Sequence, residues 1–380
     1  MIHFKKIKEL ATLGSGEISG SALSAIFWFY LASQIEPAEY GEIHWILGIA
    51  GIFSYVALIG TLNTITVYTA KNVKIQSTLY LISLLASLIL SLLIIIVFPG
   101  FYKVDSGILL IAYVINTLAL GDLLGRKHYS SYSKYLLIQK GLTLGIGILF
   151  FHFFGYQSII FALAFSYIFY LKRIVDVFRT VKINFNLLKD RFRFIVDNYV
   201  IFLVYALEEQ IDKIIIMPLF GSVILGNFSL GVQAISVLMI FSLVFYKFIL
   251  PQDASGNNLK KFKIFAILVS VFMSAIGILV GPFLIEEFFP KYIEAKDAIQ
   301  ILSIDPIPAT IVLILQSKFL GAERSKTVLY GTILSVSILI VTMFILGTYF
   351  GIVGLAWSII IATTCKSLFL LYHYYRKKMV

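Results

Sequence analysis

The chain has 380 residues, of which 59% are hydrophobic and only 13% charged, with a mean hydropathy of +0.94. A soluble domain of this length carries about twice that charged fraction, and no stretch is long and polar enough to fold as a separate soluble domain or hold a conventional soluble active site. The single cysteine, Cys365, excludes an intramolecular disulfide and a Cys-rich metal site.

At the N-terminus, lysines are followed by Gly/Ser-rich sequence where a signal peptide needs its apolar stretch, so this segment is expected to be retained. Apolar runs then recur to the end of the chain. They predict twelve membrane-crossing helices, at roughly 13–34, 43–68, 78–98, 107–124, 135–154, 157–171, 196–219, 223–249, 264–285, 298–320, 328–347 and 351–371. The sixth is short and can run on toward Arg173.

In the first span Glu17, Ser21, Ser24 and Trp28 follow i, i+4, i+7, i+11 and share one stripe. That stripe reads as a hydrated cavity wall with Glu17 as a proton or cation site, or as close helix packing through Ser and Gly. In the second span Ser54, Thr61, Thr64 and Tyr68 share a face, which interhelical hydrogen bonds explain equally well. The segment Lys172–Arg193 mixes cations with Ile174, Val175, Val177, Phe178, Phe185, Leu187, Leu188 and Phe192. It reads as an amphipathic linker on the inner leaflet, dividing the chain into residues 1–171, a linker at 172–195, and residues 196–380.

The seventh span carries four ionisable groups within six residues: Glu208, Glu209, Asp212 and Lys213. Tyr205, Glu208, Glu209 and Asp212 fall within about 100° of arc. An ionisable side chain inside a span costs about 2.5–3.5 kcal/mol on insertion scales, so it needs a partner or a wet cavity. The group reads as an ion-coupling or headgroup site, or as a salt-bridge network between helices. In the eighth span Ser229, Gln233, Ser236 and Lys247 share a face. The tenth contains Asp305-Pro306-Ile307-Pro308, where two prolines break the helix and Asp305 is a further cavity candidate. Lys140, Lys247, Lys318 and Lys366 lie inside spans toward one side, as snorkelling lysines or as a cationic vestibule for a phosphate headgroup.

Charge fixes an orientation. If the N-terminus is cytoplasmic, the cytoplasmic segments hold 23 cations and the opposite ones only Lys103, Lys291 and Lys296. This positive-inside asymmetry places both termini in the cytoplasm. It accounts for the net charge of +11 through topology and the anionic inner leaflet, with no need for nucleic acid. The halves also echo each other. Gly41 and Gly226 stand 185 positions apart, each near the turn between the first two spans of its half. GYQSIIFALAFS from Gly155 echoes GIVGLAWS from Gly351. A parallel duplication with six spans per half gives two pseudo-symmetric lobes, an architecture suited to a transporter with substrate bound at the lobe interface.

Several segments resemble one family. Gly14–Ile43 is similar to the first span of polysaccharide, or O-antigen, flippases. Asp212–Phe228 (DKIIIMPLFGSVILGNF) resembles their pattern of an intramembrane Asp, an apolar run and a turn ending in Gly-x-aromatic. Phe288–Leu302 and Gly321–Gly331 resemble two of their later connections. These flippases belong to the multidrug/oligosaccharidyl-lipid/polysaccharide (MOP) exporter superfamily. The resemblance implies an all-α integral membrane protein of about twelve helices in the plasma or inner membrane. It implies alternating-access flipping of a lipid-linked oligosaccharide, with H+ or Na+ as the coupling ion. Glu17, Glu208, Glu209, Asp212 and Asp305 are then candidates for the cavity and ion coupling. Lys140, Lys213, Lys318 and Lys366 are candidates for the headgroup.

Two other functions compete. One is a drug or organic-cation antiporter of the same superfamily, for which the acidic stripe would bind a cation directly. The other is a membrane-embedded glycan polymerase or ligase. That reading is the weakest, because the longest outer loop, Glu286–Asp297, is short and holds no His or Arg. The five histidines are scattered and no nucleotide-binding glycine loop occurs, so no cofactor or metal is expected.

Overall fold

The structure, a computed structural model, describes residues 2–59, 61–97, 103–254, 259–322 and 324–376, without the side chains of 2–10, 13, 103, 251 and 254. The cations Lys5, Lys6, Lys8, Lys103, Lys377 and Lys378 therefore lie outside the described side chains. All regular structure among the described residues is helical. In the first half run α1 Ile2–Gln34, α2 Pro37–Ala57, α3 Leu62–Ala70, α4 Gln76–Val97, α5 Lys103–Gly125, α6 Tyr129–Phe154, α7 Ile159–Ser166, α8 Leu171–Thr180 and α9 Asn186–Lys189. Then follow α10 Phe192–Phe220, α11 Ser222–Leu238, α12 Ile240–Ala254, α13 Lys260–Phe288, α14 Ala295–Leu302, α15 Pro306–Gly321 and α16 Ser325–Arg376.

Among the described residues six helices are long and apolar enough to cross a membrane, or up to nine if each bent pair is one span. The last two predicted spans both lie in α16, which is two helices joined at Gly351, where φ is 56° and ψ −135°. Gly155, at the echoed position in the first half, also has a positive φ, of 75°. These are turns that a side chain would strain.

Three predicted spans are broken. The span predicted at 43–68 divides into α2 and α3, because the Thr61 hydroxyl caps α3 by accepting from the Thr64 backbone N–H at 3.2 Å. Thr61 and Thr64 are thus occupied at a helix start. The span at 223–249 bends by 48° between α11 and α12, and the span at 298–320 bends by 41° between α14 and α15. In the latter α15 opens on Pro306, where a missing N–H leaves no helical hydrogen bond unmade. The sixth span runs on: α7, a 3-10 turn at Ile168–Tyr170 and α8 continue as far as Thr180.

The chain forms two compact units. One comprises Met1–Phe27 and Trp45–Gln210, the other Trp28–His44 and Ile211–Val380. In the first, α5 is the central helix, packed on α3, α4 and α7. Its Leu109, Leu110, Val114, Leu118 and Ala119 are fully buried, and the Leu118 carbonyl accepts from the Tyr80 hydroxyl at 2.7 Å. The buried face of α8, Ile174 and Val177, docks in this unit. There the Ser77 hydroxyl donates to the Val181 carbonyl at 2.6 Å.

In the second unit α15 packs on α12, α13 and α16, and α14 on α11, α13 and α16. The start of α2 crosses the start of α11 with no side chain between them. A Cβ added at Gly41 would overlap the Ser222 carbonyl, and one at Gly226 would overlap the Pro37 carbonyl. Each glycine is the fifth residue of its helix, and each meets the carbonyl of the first residue of the other. The crossing is therefore locally two-fold symmetric. Its geometry is that of small-residue crossings, where backbones approach closely enough for Cα–H···O contacts.

Candidate functional site

The acidic stripe of α10 divides between two environments. Glu209 belongs to the first unit and accepts a 2.6 Å hydrogen bond from the Tyr55 hydroxyl on α2. Tyr55 packs edge-to-face on Phe202 at 4.7 Å. A further tyrosine joins this carboxylate: Tyr113 of α5 lies within electrostatic reach of Glu209 and Tyr55, and of Tyr167 behind it. The Tyr113 and Tyr167 rings meet edge-to-face at 5.6 Å. An exposed carboxylate set among tyrosine rings is an arrangement that attracts a cation, by charge and by the negative ring faces. Glu208, one residue earlier, is half-buried.

Asp212 belongs to the second unit and is 9% exposed. Its Oδ1 accepts the Lys213 backbone N–H at 2.8 Å and lies 3.4 Å from Lys213 Nζ. The sequence places these four groups on one helix and leaves their partners open. The structure gives Glu209 to a tyrosine and Asp212 to its own neighbour. Beside Lys213 lies His44, buried between the rings of Trp28 at 4.9 Å and Tyr40 at 4.5 Å. His44 Nε2 and the Tyr40 hydroxyl are buried and without a hydrogen-bond partner among the described residues. Tyr40 also meets Tyr292 edge-to-face at 5.8 Å. Tyr292 lies in the connection before α14, where burial pushes its phenol up and Glu36 and Glu39 push the same way.

On α1, Glu17 is half-buried and accepts from the Tyr132 hydroxyl at 2.9 Å, with Lys140 within electrostatic reach. Close packing shapes this corner. A Cβ at Gly16 would stand 2.6 Å from the Ser133 Cβ and Oγ, and the Ser133 hydroxyl donates to the Thr12 carbonyl at 2.9 Å. Glycine brings α1 and α6 together, and Glu17 faces a polar pair.

Asp305 sits at the break between α14 and α15. It opens onto a cleft of about 260 Å³ in the second unit, which Ser236 and Met239 also line. Met239 is the break between α11 and α12. Two broken spans therefore turn their breaks toward one cleft, with a carboxylate at one of them.

The four lysines are dispersed. Lys140 neighbours Glu17 and Lys213 pairs with Asp212. Lys318 donates to the Tyr374 hydroxyl at 3.0 Å and lies 4.8 Å from that ring's centre. Lys366 is 4% exposed. Lys140, Lys213 and Lys318 are each engaged within their own unit, and Lys140 belongs to the first unit while the other three belong to the second.

Two buried ion clusters escape the sequence reading. Asp122 of α5, fully buried, is gripped by Arg126 at 2.9 Å and by Arg173 of α8 at 2.5 Å. Asp253 of α12 accepts from Lys263 at 2.5 and 2.7 Å and from the Ser317 hydroxyl at 2.7 Å. The spacing Asp122–Arg126 signals an i, i+4 pair at the end of a predicted span, with Asp122 inside it and Arg126 just beyond. Nothing in the sequence points from Asp122 to Arg173, 51 residues away.

No protein-family model and no curated protein matches the chain. Solved structures do, and they define the fold as the two-lobed type of MATE transporters in the MOP superfamily. One match is a multidrug resistance MATE family transporter in its inward-facing conformation, at TM-score 0.66 and 16% identity, covering 94% of both chains. Another is a MATE protein in complex with MaD5, at TM-score 0.65 and 15% identity, covering 97% of this chain and 95% of that one. A third is a MOP superfamily transporter from Pyrococcus furiosus, for which a reverse polarity of the binding pocket suggests a different function. It has TM-score 0.61 and 14% identity, and covers 97% of this chain and 95% of that one.

Proposed function

We propose that this chain is a membrane transporter that moves an organic cation outward in exchange for H+ or Na+. One observation carries the substrate class: the Glu209 carboxylate with Tyr55 and Tyr113 about it and Tyr167 packed on Tyr113. A lipophilic cation gains from such a site because aromatic faces replace part of its weak hydration while the carboxylate supplies the opposite charge. Phosphate would be repelled by it. The fold shared with MATE transporters supports the same reading.

Coupling belongs to carboxylates elsewhere. Asp305 at the α14/α15 break, Glu17 under Tyr132, and Asp212 beside Lys213 are each held where protonation or a bound cation changes the local charge balance. Asp305 is the leading coupling group, since broken helices at membrane depth expose backbone polar groups that can ligate an ion.

Binding of tetraphenylphosphonium to the purified protein tests the substrate class. The wild type binds it, Glu209→Gln weakens binding at least about tenfold by removing the charge, and Tyr55→Phe weakens it less. A wild type that ignores lipophilic cations ends this reading. The second reading, flipping of a lipid-linked oligosaccharide, draws on the sequence resemblance and on Lys140, Lys213, Lys318 and Lys366. It predicts that neutralising Lys140 and Lys318 blocks surface glycan export while Glu209→Gln leaves it intact.

A further inference from the structure

A slot of about 240 Å³ runs along the contact of α5 and α7 in the first unit, with Tyr167 in its wall. Its lining is almost wholly apolar. Ala112 and Ala164, both nearly buried, form a narrow floor. Ile108, Phe161 and Phe165 stand exposed along the rim, and Leu171 closes one end. Small residues below and bulky ones above make a slot for a linear chain. From Phe161 to Leu171 is ten helical residues, or about 15 Å at 1.5 Å each. That is about half of a hydrocarbon core of roughly 30 Å, the depth of one leaflet.

What the slot leads to identifies its occupant. Leu171 is the first residue of α8, and Leu171, Val175 and Arg179 recur at i, i+4 and i+8 with Lys172 beside them. All four are exposed. The direction of this face is fixed, because Ile174 and Val177 bury the opposite one and Arg173 is held by Asp122. An apolar slot one leaflet deep thus opens onto a helix face bearing two cations.

We propose that this is a binding site for an anionic phospholipid, with an acyl chain in the α5/α7 slot and the headgroup phosphate at Lys172 and Arg179. A lipid with net negative charge is preferred because both cations go unopposed by a headgroup ammonium. At about one lysine- or arginine-equivalent each, the two correspond to roughly thirtyfold in affinity.

The test is thermal unfolding of the delipidated full chain in a neutral detergent with added lipid. Phosphatidylglycerol should raise the unfolding temperature at concentrations roughly thirtyfold below those phosphatidylcholine needs, while glycerophosphate, a headgroup without tails, should have no effect. Lys172→Gln with Arg179→Gln should abolish the preference and leave the lipid-free unfolding temperature unchanged. Ala164→Leu should fill the slot and remove the response to both lipids. Should that variant fold poorly, Ala112→Leu serves the same purpose. Lys261→Gln with Lys326→Gln, which removes exposed cations from the other unit, should keep the preference. The proposal is overturned if the two lipids act equally on the wild type, if glycerophosphate acts as well as the lipid, or if the Lys261/Lys326 control loses the preference as fully as the α8 variant.

Discussion

At the scale of single residues, each buried charge is decided by its partner. Asp122 is fully buried, with two guanidiniums held against its carboxylate oxygens. Removing one partner from such a cluster typically costs about 3–5 kcal/mol, because the others remain buried and uncompensated. Asp122→Asn should therefore lower the unfolding temperature in detergent sharply, and adding Arg173→Gln should recover part of the loss. An additive double variant would show that the two do not act as a pair. At Asp212 a different result is expected. Asp212→Asn should preserve expression and folding but reduce transport in proteoliposomes, with partial recovery on adding Lys213→Gln. A silent Asp212→Asn would remove this residue from the coupling machinery. The sequence made Glu209 and Asp212 legible, since four ionisable groups in six residues stand out of any apolar run. It could not separate their roles, because Tyr55 reaches Glu209 and His44 lies beside Lys213 through contacts that the spacing along α10 does not encode.

At the scale of elements, the long helices were legible and their breaks were only partly so. Runs of about 20 apolar residues specify a span by length alone. The break before Pro306 followed from proline chemistry. The break before Thr61 depends on a hydroxyl choosing to cap a helix rather than bond across it, and the bend at Met239 has no proline or glycine at it. The 185-residue echo of Gly41 and Gly226 was visible, but not that the two glycines meet. Their contact reverses the usual sign of a glycine substitution. In an open helix interior Gly→Ala gains about 0.5–1 kcal/mol. Gly145, on α6 with nothing within 4 Å of an added Cβ, should follow that rule, and Gly145→Ala should raise the unfolding temperature. Gly41→Ala and Gly226→Ala should lower it, because the new methyl meets backbone that cannot turn aside. Equal effects at all three sites would mean that the crossing contributes nothing to stability.

At the scale of the whole molecule, the charge asymmetry predicts which side each connection faces. In a Cys365→Ser background, cysteines placed at Glu36 and Glu294 should react with an impermeant maleimide in intact cells. Cysteines at Arg179 and Lys182 should react only after permeabilisation. All four positions are exposed. The reverse pattern would invert the assigned orientation. Salt should matter little to this architecture, since the inner pairs are shielded. Only surface contacts such as Lys291–Glu36, at 2.8 Å with both side chains about half exposed, are open to screening.

The buried pairs also constrain how the chain is made. A ribosome delivers residues in order, and a charge emerging into lipid before its partner must wait unneutralised. Arg126 follows directly on the end of α5, four residues after Asp122, so α5 can enter already balanced. Arg173 arrives three helices later, on α8, and tightens a pair that already exists. Asp253 and Lys263 are different: one ends α12 and the other begins α13. Neither helix is balanced alone at that end, so the two are expected to enter together as a hairpin. Translation stalled after α12 but before Lys263 should leave α12 loosely held and extractable by alkali. Stalling a few tens of residues later should not.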